Sequence, residues 1–138
     1  MSTGVKAVRR MFDAFASGDV SGAEEYIHDD YLNPDSLERS TARGPEGFAG
    51  NVKWLHNAFS DIKFSELEIS EGGGFVLARV IMSGQHTGDL VGFPATGRAF
   101  YAEQLHLCRI LEGKIAQHRD WRDDLGVLRQ LGLPRLGD

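Results

Sequence analysis

The sequence predicts an α+β domain in which N-terminal helices close a curved antiparallel sheet into a cone. Apolar residues recur at helical spacing up to Ser60, and beyond it the pattern changes to strand-like alternation. Four strand-like runs then follow one another across short turns, the signature of a meander. Helices gathered first and strands after suggest helices packed on one face of a single sheet. The hollow of such a cone is the natural pocket.

Each element has its own signal. Val5, Val8, Met11, Phe12 and Phe15 set one apolar stripe on a first helix that ends near Ser17-Gly18. A second short helix is expected after Asp19, with Val20, Ala23 and Ile27 on its buried side. Residues 28–47, HDDYLNPDSLERSTARGPEG, are rich in Asp, Asn, Pro and Gly and read as a long irregular connection. Connections of that kind often line a site. A third helix should open at Gly44-Pro45-Glu46, because proline suits the first helical position and an acid suits the positive end of the helix dipole. Phe48, Val52, Leu55 and Phe59 share one of its faces. The strand candidates are IKFSELEIS, FVLARVIMSGQHTG, AFYAEQLHLCRI and KIAQHRDW, with EGGG and LEGK as turns.

Composition bounds the function. The chain has 138 residues, 41% hydrophobic and 25% charged, which suits one domain over 1–138 with one core. The single Cys108 has no intramolecular disulfide partner and suits a reducing cytoplasm. The polar start MSTGVKAVRR lacks the apolar run of a secretory signal, and no stretch is long and apolar enough to span a bilayer. Net charge is −5 and the basic residues are scattered, so neither nucleic acid nor an anionic membrane is an expected partner.

Side chains alternate along a strand, so parity groups the polar residues. Ala102, Gln104, His106 and Cys108 share one face of the third strand, and Ala116, His118 and Asp120 share one face of the fourth. Alternation alone leaves two readings. In an ordinary antiparallel sheet the polar face meets water. Turned into the cone, among Phe15, Trp54, Phe59, Met82 or Trp121, a carboxylate would lose hydration and become a more useful base. His106 or Gln104 would then donate to a developing oxyanion.

Other chemistries have weaker support. His86, His106 and His118 fall on strands, but no spacing matches a metal-ligand pattern such as HExxH. Cys108 and His106 neighbour each other on one strand face, and a buried Cys is usually inert packing. The glycines of EGGGF at 71–75 join two strands rather than a strand and a helix, which is not how a phosphate cradle is built.

Several stretches together carry a family resemblance: VRRM at 8–11, EYIH at 25–28, YLNP at 31–34, the GP of RGPE, HTGDLVGFPATGR at 86–98, EQLHL at 103–107, GKIAQHRDW and LRQLG. In this order and spacing the chain resembles the SnoaL-like polyketide cyclases, specifically the nogalonic and aklanonic acid methyl ester cyclases of anthracycline biosynthesis. The resemblance implies a distorted α+β barrel of the nuclear-transport-factor-2-like type, a dimer or tetramer, and an aldol cyclisation without metal or cofactor. It implies that Asp120 of HRDW is the general acid/base and that His106 of EQLHL acts beside it in the pocket. Gln104, Asn33, Trp54 and His118 are then the expected neighbours of the substrate. Phe15 and Asn51 match positions associated with which face of the ketone is attacked, and their pairing mixes the two cyclase types. The implied substrate is a tricyclic anthraquinone with a β-keto chain and a methyl ester, whose fourth ring is closed. The rival readings are another chemistry on the same scaffold, such as a hydroxylation partner, isomerase or epoxide-opening enzyme, and a non-catalytic binder of polyaromatic ligands.

Overall fold

The computed structural model describes residues 2–133. The chain runs α1 (Thr3–Ser17), one 3₁₀ turn (Ala23–Glu25), α2 (Gly44–Ala58), β1 (Phe59–Gly72), β2 (Phe75–His86), β3 (Ala99–Leu111), β4 (Lys114–Arg122) and α3 (Asp124–Gln130). The strands form one antiparallel sheet in the order β1-β2-β3-β4. This is the helix-closed curved sheet that the periodicity predicts. No described helix is long and apolar enough to cross a membrane.

Two bulges help to explain the curvature. Register shifts occur in β1 between Ser60 and Lys63 and between Glu66 and Glu68, and a bulge bends its strand and increases the local twist. A further shift after Arg109 breaks the alternation of β4, so that Ile115 and Ala116 are both buried.

α1 is capped at its start by the Ser2 hydroxyl, which accepts from the Val5 N–H, and it ends at Gly18 in the left-handed conformation. Its stripe packs with Phe48 and Val52 of α2 and with Val76, Ala78, Val80, Cys108 and Ile115 of the sheet. Phe48 is fully buried, edge-on to Phe15, Tyr26 and Tyr31 with ring centroids 5.2, 5.9 and 5.6 Å away. Burying a side chain of that size contributes about 1.5–3 kcal/mol. A second cluster, built from Phe59, Ile62, Met82, Phe100 and Leu131, fills the other end of the cone.

Three local expectations are corrected. The segment after Asp19 is a single 3₁₀ turn rather than a helix: Gly18 and Gly22 are both left-handed, which confines it, and Ile27 must then bridge to Ile115. Ala23 and Ile27 are buried as expected. Phe59 does not belong to α2 but is the first residue of β1. The short α3 was not anticipated; it has seven residues with Gly126 inside, too few for helical periodicity to register.

α3 nevertheless completes the sheet. β4 pairs with β3 only from Gln104 onward, and the Gln130 side-chain amide takes its place at Tyr101, accepting from the N–H and donating to the C=O, both at 2.9 Å. The connection after β2 is pinned at its start, where the Thr87 and Gly88 N–H groups both donate to the Ala58 carbonyl. A Cβ on Gly88 would stand 1.7 Å from the Asn57 carbonyl oxygen, so the backbones approach too closely for any other residue. Gly88→Ala is expected to lower the unfolding free energy in urea by about 3 kcal/mol, the upper part of the range for overpacking; an unchanged midpoint would contradict this packing.

Candidate active site

The concave face of the sheet is the one that carries the even-numbered polar residues. Ala102, Gln104, His106 and Cys108 on β3 and His118 on β4 are buried, while Tyr101 on the opposite face is 69% exposed. Above them lies a cavity of about 230 Å³. Its apolar walls come from Phe15 on α1, Trp54 and Leu55 on α2, Phe64 and Met82 on the sheet, and Val127 on α3. Asn33, Glu38, Asn51, Asp120 and Arg122 join Gln104 and the two histidines around it.

Polar groups held in such surroundings must find partners. His106 Nδ1 lies 2.7 Å from His118 Nε2, and His106 Nε2 lies 2.8 Å from Gln104 Oε1. At the far end, His118 Nδ1 meets the Tyr31 hydroxyl at 3.1 Å and Asn33 Nδ2 at 3.3 Å. The Gln104 Nε2 donates to the Met82 sulfur at 3.3 Å. Burial, helped by His118 and Arg122, holds His106 well below the ordinary imidazole range. Burial also lowers His118, outweighing the opposing pull of Asp120 and Asp35. Both rings are therefore neutral at pH 7.

Asp120 sits directly across from His106 in the β3–β4 ladder. Its side chain is 7% exposed, and Oδ2 accepts from Arg122 at 2.6 Å. Arg122 also grips Asp124 at the start of α3, with Nε 3.1 Å from Oδ1. Asp120 Oδ1 is buried with no hydrogen-bond partner among the described residues. An unmet buried acceptor costs about 1–3 kcal/mol, more when charged. The backbone of Asp120 is anchored by Asp35, whose Oδ2 accepts its N–H at 3.0 Å and that of Arg119 Nε at 2.7 Å.

All eight residues expected from the sequence, namely Asp120, His106, Gln104, Phe15, Asn51, Asn33, Trp54 and His118, line this one cavity. Trp121 does not: its odd parity puts it on the outer face, 49% exposed beneath the Arg119 guanidinium. Arg122 was missed although it shares the parity of His118 and Asp120. Tyr31 and Glu38 were missed because they come from irregular chain, where no periodicity predicts direction. His86 lies apart, accepting at Nδ1 from the Thr96 N–H. Among the described residues, no three His, Cys, Asp or Glu side chains are grouped to hold a metal. Cys108 is fully buried, and burial pushes its thiol up, away from the reactive thiolate.

The two neutral histidines make stability depend on pH. An unfolded imidazole titrates near pH 6.5, whereas the folded pair resists protonation to lower pH. Between these values the unfolded chain binds more protons, so stability is present above about pH 6.5 and falls as the solution is acidified. The urea midpoint should decline from pH 7 to pH 5, and less steeply in His118→Gln; a midpoint constant over that range would contradict a neutral pair.

A model of the SnoaL-like polyketide cyclase family matches residues 5–131. The chain is 51% identical over 136 residues to the aklanonic acid methyl ester cyclase DnrD of Streptomyces peucetius, covering 97% of this chain and 94% of that one. It is 48% identical over 125 residues to the nogalonic acid methyl ester cyclase of Streptomyces nogalater, with 90% and 93% covered. Among solved structures, TsrD from Streptomyces laurentii superimposes with a TM-score of 0.84 at 28% identity, covering 94% of this chain and 95% of that one. IdmH from Streptomyces antibioticus gives 0.77 at 28%, with 94% and 99% covered. The fold is the distorted α+β barrel of the nuclear-transport-factor-2-like type, and the chain belongs to the SnoaL-like polyketide cyclase family.

Proposed function

We propose that the protein closes the fourth ring of a tricyclic anthraquinone methyl ester by intramolecular aldol condensation, with Asp120 as the acid/base. The observation that carries this reading is the unpartnered Asp120 Oδ1 on the wall of a mostly apolar cavity, in a chain half identical to an aklanonic acid methyl ester cyclase.

A C–H flanked by a ring or ester carbonyl is acidic enough to need only a positioned base. Asp120 Oδ1 takes that proton and becomes the neutral acid, while the electron pair spreads into the carbonyl and the aromatic system. The carbon then attacks the side-chain ketone, forming the new C–C bond and turning the C=O into an alkoxide. Asp120 returns its proton to that oxygen, so every atom of the substrate is retained in the product. Arg122, already on Oδ2, keeps the carboxylate turned while Oδ1 works. General acid–base catalysis contributes about 10²- to 10⁴-fold, and holding the two ends of one molecule in a near-attack geometry supplies several kcal/mol more. Phe15 and Trp54 offer flat apolar walls for that orientation. His106, whose two ring nitrogens are engaged by His118 and Gln104, supports the site without a proton to spare.

The reading treats residues 1–138 as one cyclase domain acting as a homo-oligomer. Support for assembly comes from the outer face of the sheet, where Leu77, Tyr101 and Trp121 are 38%, 69% and 49% exposed.

Incubation with an anthraquinone β-keto ester and analysis of product mass tests the reaction: ring closure leaves the mass unchanged, hydroxylation adds oxygen, and a binding module returns the substrate. Asp120→Asn, verified as folded by circular dichroism, is expected to lose at least 10²-fold in turnover. Near-normal turnover would remove Asp120 from the mechanism.

A further inference from the structure

We infer that the chain Asn33–His118–His106–Gln104 is a polarity lock, which starts at a backbone N–H and ends by fixing the Gln104 NH₂ as the donor to the substrate's ketone oxygen. The inference rests on the aldol reading for its chemistry, but the hydrogen-bond directions do not depend on that reading.

The direction is set at one end of the chain. The Asp35 backbone N–H donates to Asn33 Oδ1 at 2.9 Å. A backbone N–H has only one role, so the Asn33 amide cannot be flipped, and its NH₂ faces His118 Nδ1. The Tyr31 hydroxyl also converges on that nitrogen. Its two contacts are 3.1 Å to His118 Nδ1 and 3.3 Å to Asn51 Oδ1, so the imidazole is the nearer acceptor for its proton. The Tyr31 proton therefore goes to the imidazole, and burial, with Cys108, Asp120 and Glu38 nearby, keeps this phenol protonated. With two donors aimed at it, His118 Nδ1 carries the lone pair.

A neutral His118 then bears its proton on Nε2 and donates to His106 Nδ1. His106 in turn bears its proton on Nε2 and donates to Gln104 Oε1. The Gln104 carbonyl is thereby occupied. Among the described residues its NH₂ has only the Met82 sulfur as partner, a weak acceptor, and it is the end of the chain left to meet a ligand in the cavity. An amide NH₂ suits that role because it stabilises the alkoxide without giving up a proton, leaving proton return to Asp120. In this arrangement Gln104 touches the reacting oxygen, while His106, His118 and Asn33 are positioning residues.

The lock has a single reversing point. In Asn33→Asp the side chain keeps its shape but has no proton to donate, so His118 Nδ1 supplies one and the Tyr31 hydroxyl turns its proton to Asn51 Oδ1. The proton on each imidazole then moves to the other nitrogen, and Gln104 turns its carbonyl toward the cavity.

Two-bond ¹H–¹⁵N correlation spectra of ligand-free protein labelled at histidine read the tautomers directly. In the wild-type chain both His106 and His118 should be protonated at Nε2, and in Asn33→Asp at Nδ1. If the cyclase reaction is observed, Asn33→Asp should lose about 10-fold or more in kcat with a smaller change in KM, because the missing interaction belongs to the transition state; Gln104→Glu should show the same split. Protonation of wild-type His118 or His106 at Nδ1 would overturn the lock, and so would full kcat in Asn33→Asp with reversed tautomers. The wild-type spectrum needs neither a folded variant nor an active enzyme, so loss of the aldol reading leaves the lock itself testable.

Discussion

Polar side chains on the inner face of a closed sheet have no water to fall back on, and that constraint organises this protein. β3 and β4 turn Gln104, His106, His118 and Asp120 toward a cavity walled by Phe15, Trp54, Phe64 and Met82. Each of those groups must be satisfied from within the fold or remain costly. The histidines are satisfied through one another and through Tyr31 and Asn33. Asp120 is satisfied on one oxygen by Arg122 and left unmet on the other. The proposed chemistry sits where that satisfaction is incomplete, at Asp120 Oδ1 and at the Gln104 NH₂.

Support for the Asp120 carboxylate extends outward in layers. Arg122 divides its guanidinium between Asp120 and Asp124, so the ion pair at the site is tied to the first residue of α3. Asp35 grips the Asp120 backbone and Arg119 together, which makes the long connection after the 3₁₀ turn a structural brace as well as a wall.

The sequence was most legible where periodicity is strong. α1, α2 and the four strands stand close to where alternation and helical spacing put them, and the signal is plainest in α1, α2, β2 and β3, each of which buries one face. Parity correctly grouped Gln104, His106, His118 and Asp120, yet it had no means to say which face was concave; that depends on β1 bulges and on helices packing from far away in the chain. The family motifs resolved the choice toward the interior, and the buried even positions agree. Arg122 follows the same parity but lies just past the HRDW motif, so it went unnoticed. Tyr31, Asp35 and Glu38 sit in irregular chain, where direction is set by tertiary contacts rather than by local pattern. The short α3 carries little periodic signal, although it covers the cavity with Val127 and Leu128.

The central claim is that Asp120 Oδ1 meets the acidic carbon of the substrate. A crystal structure of the folded but slowed Asp120→Asn variant with an anthraquinone β-keto ester bound tests it most directly. The account predicts the acidic carbon about 3–3.5 Å from the side chain at position 120, with the ketone oxygen on the Gln104 NH₂. An acidic carbon turned instead toward Glu38, out of reach of the side chain at position 120, would contradict it.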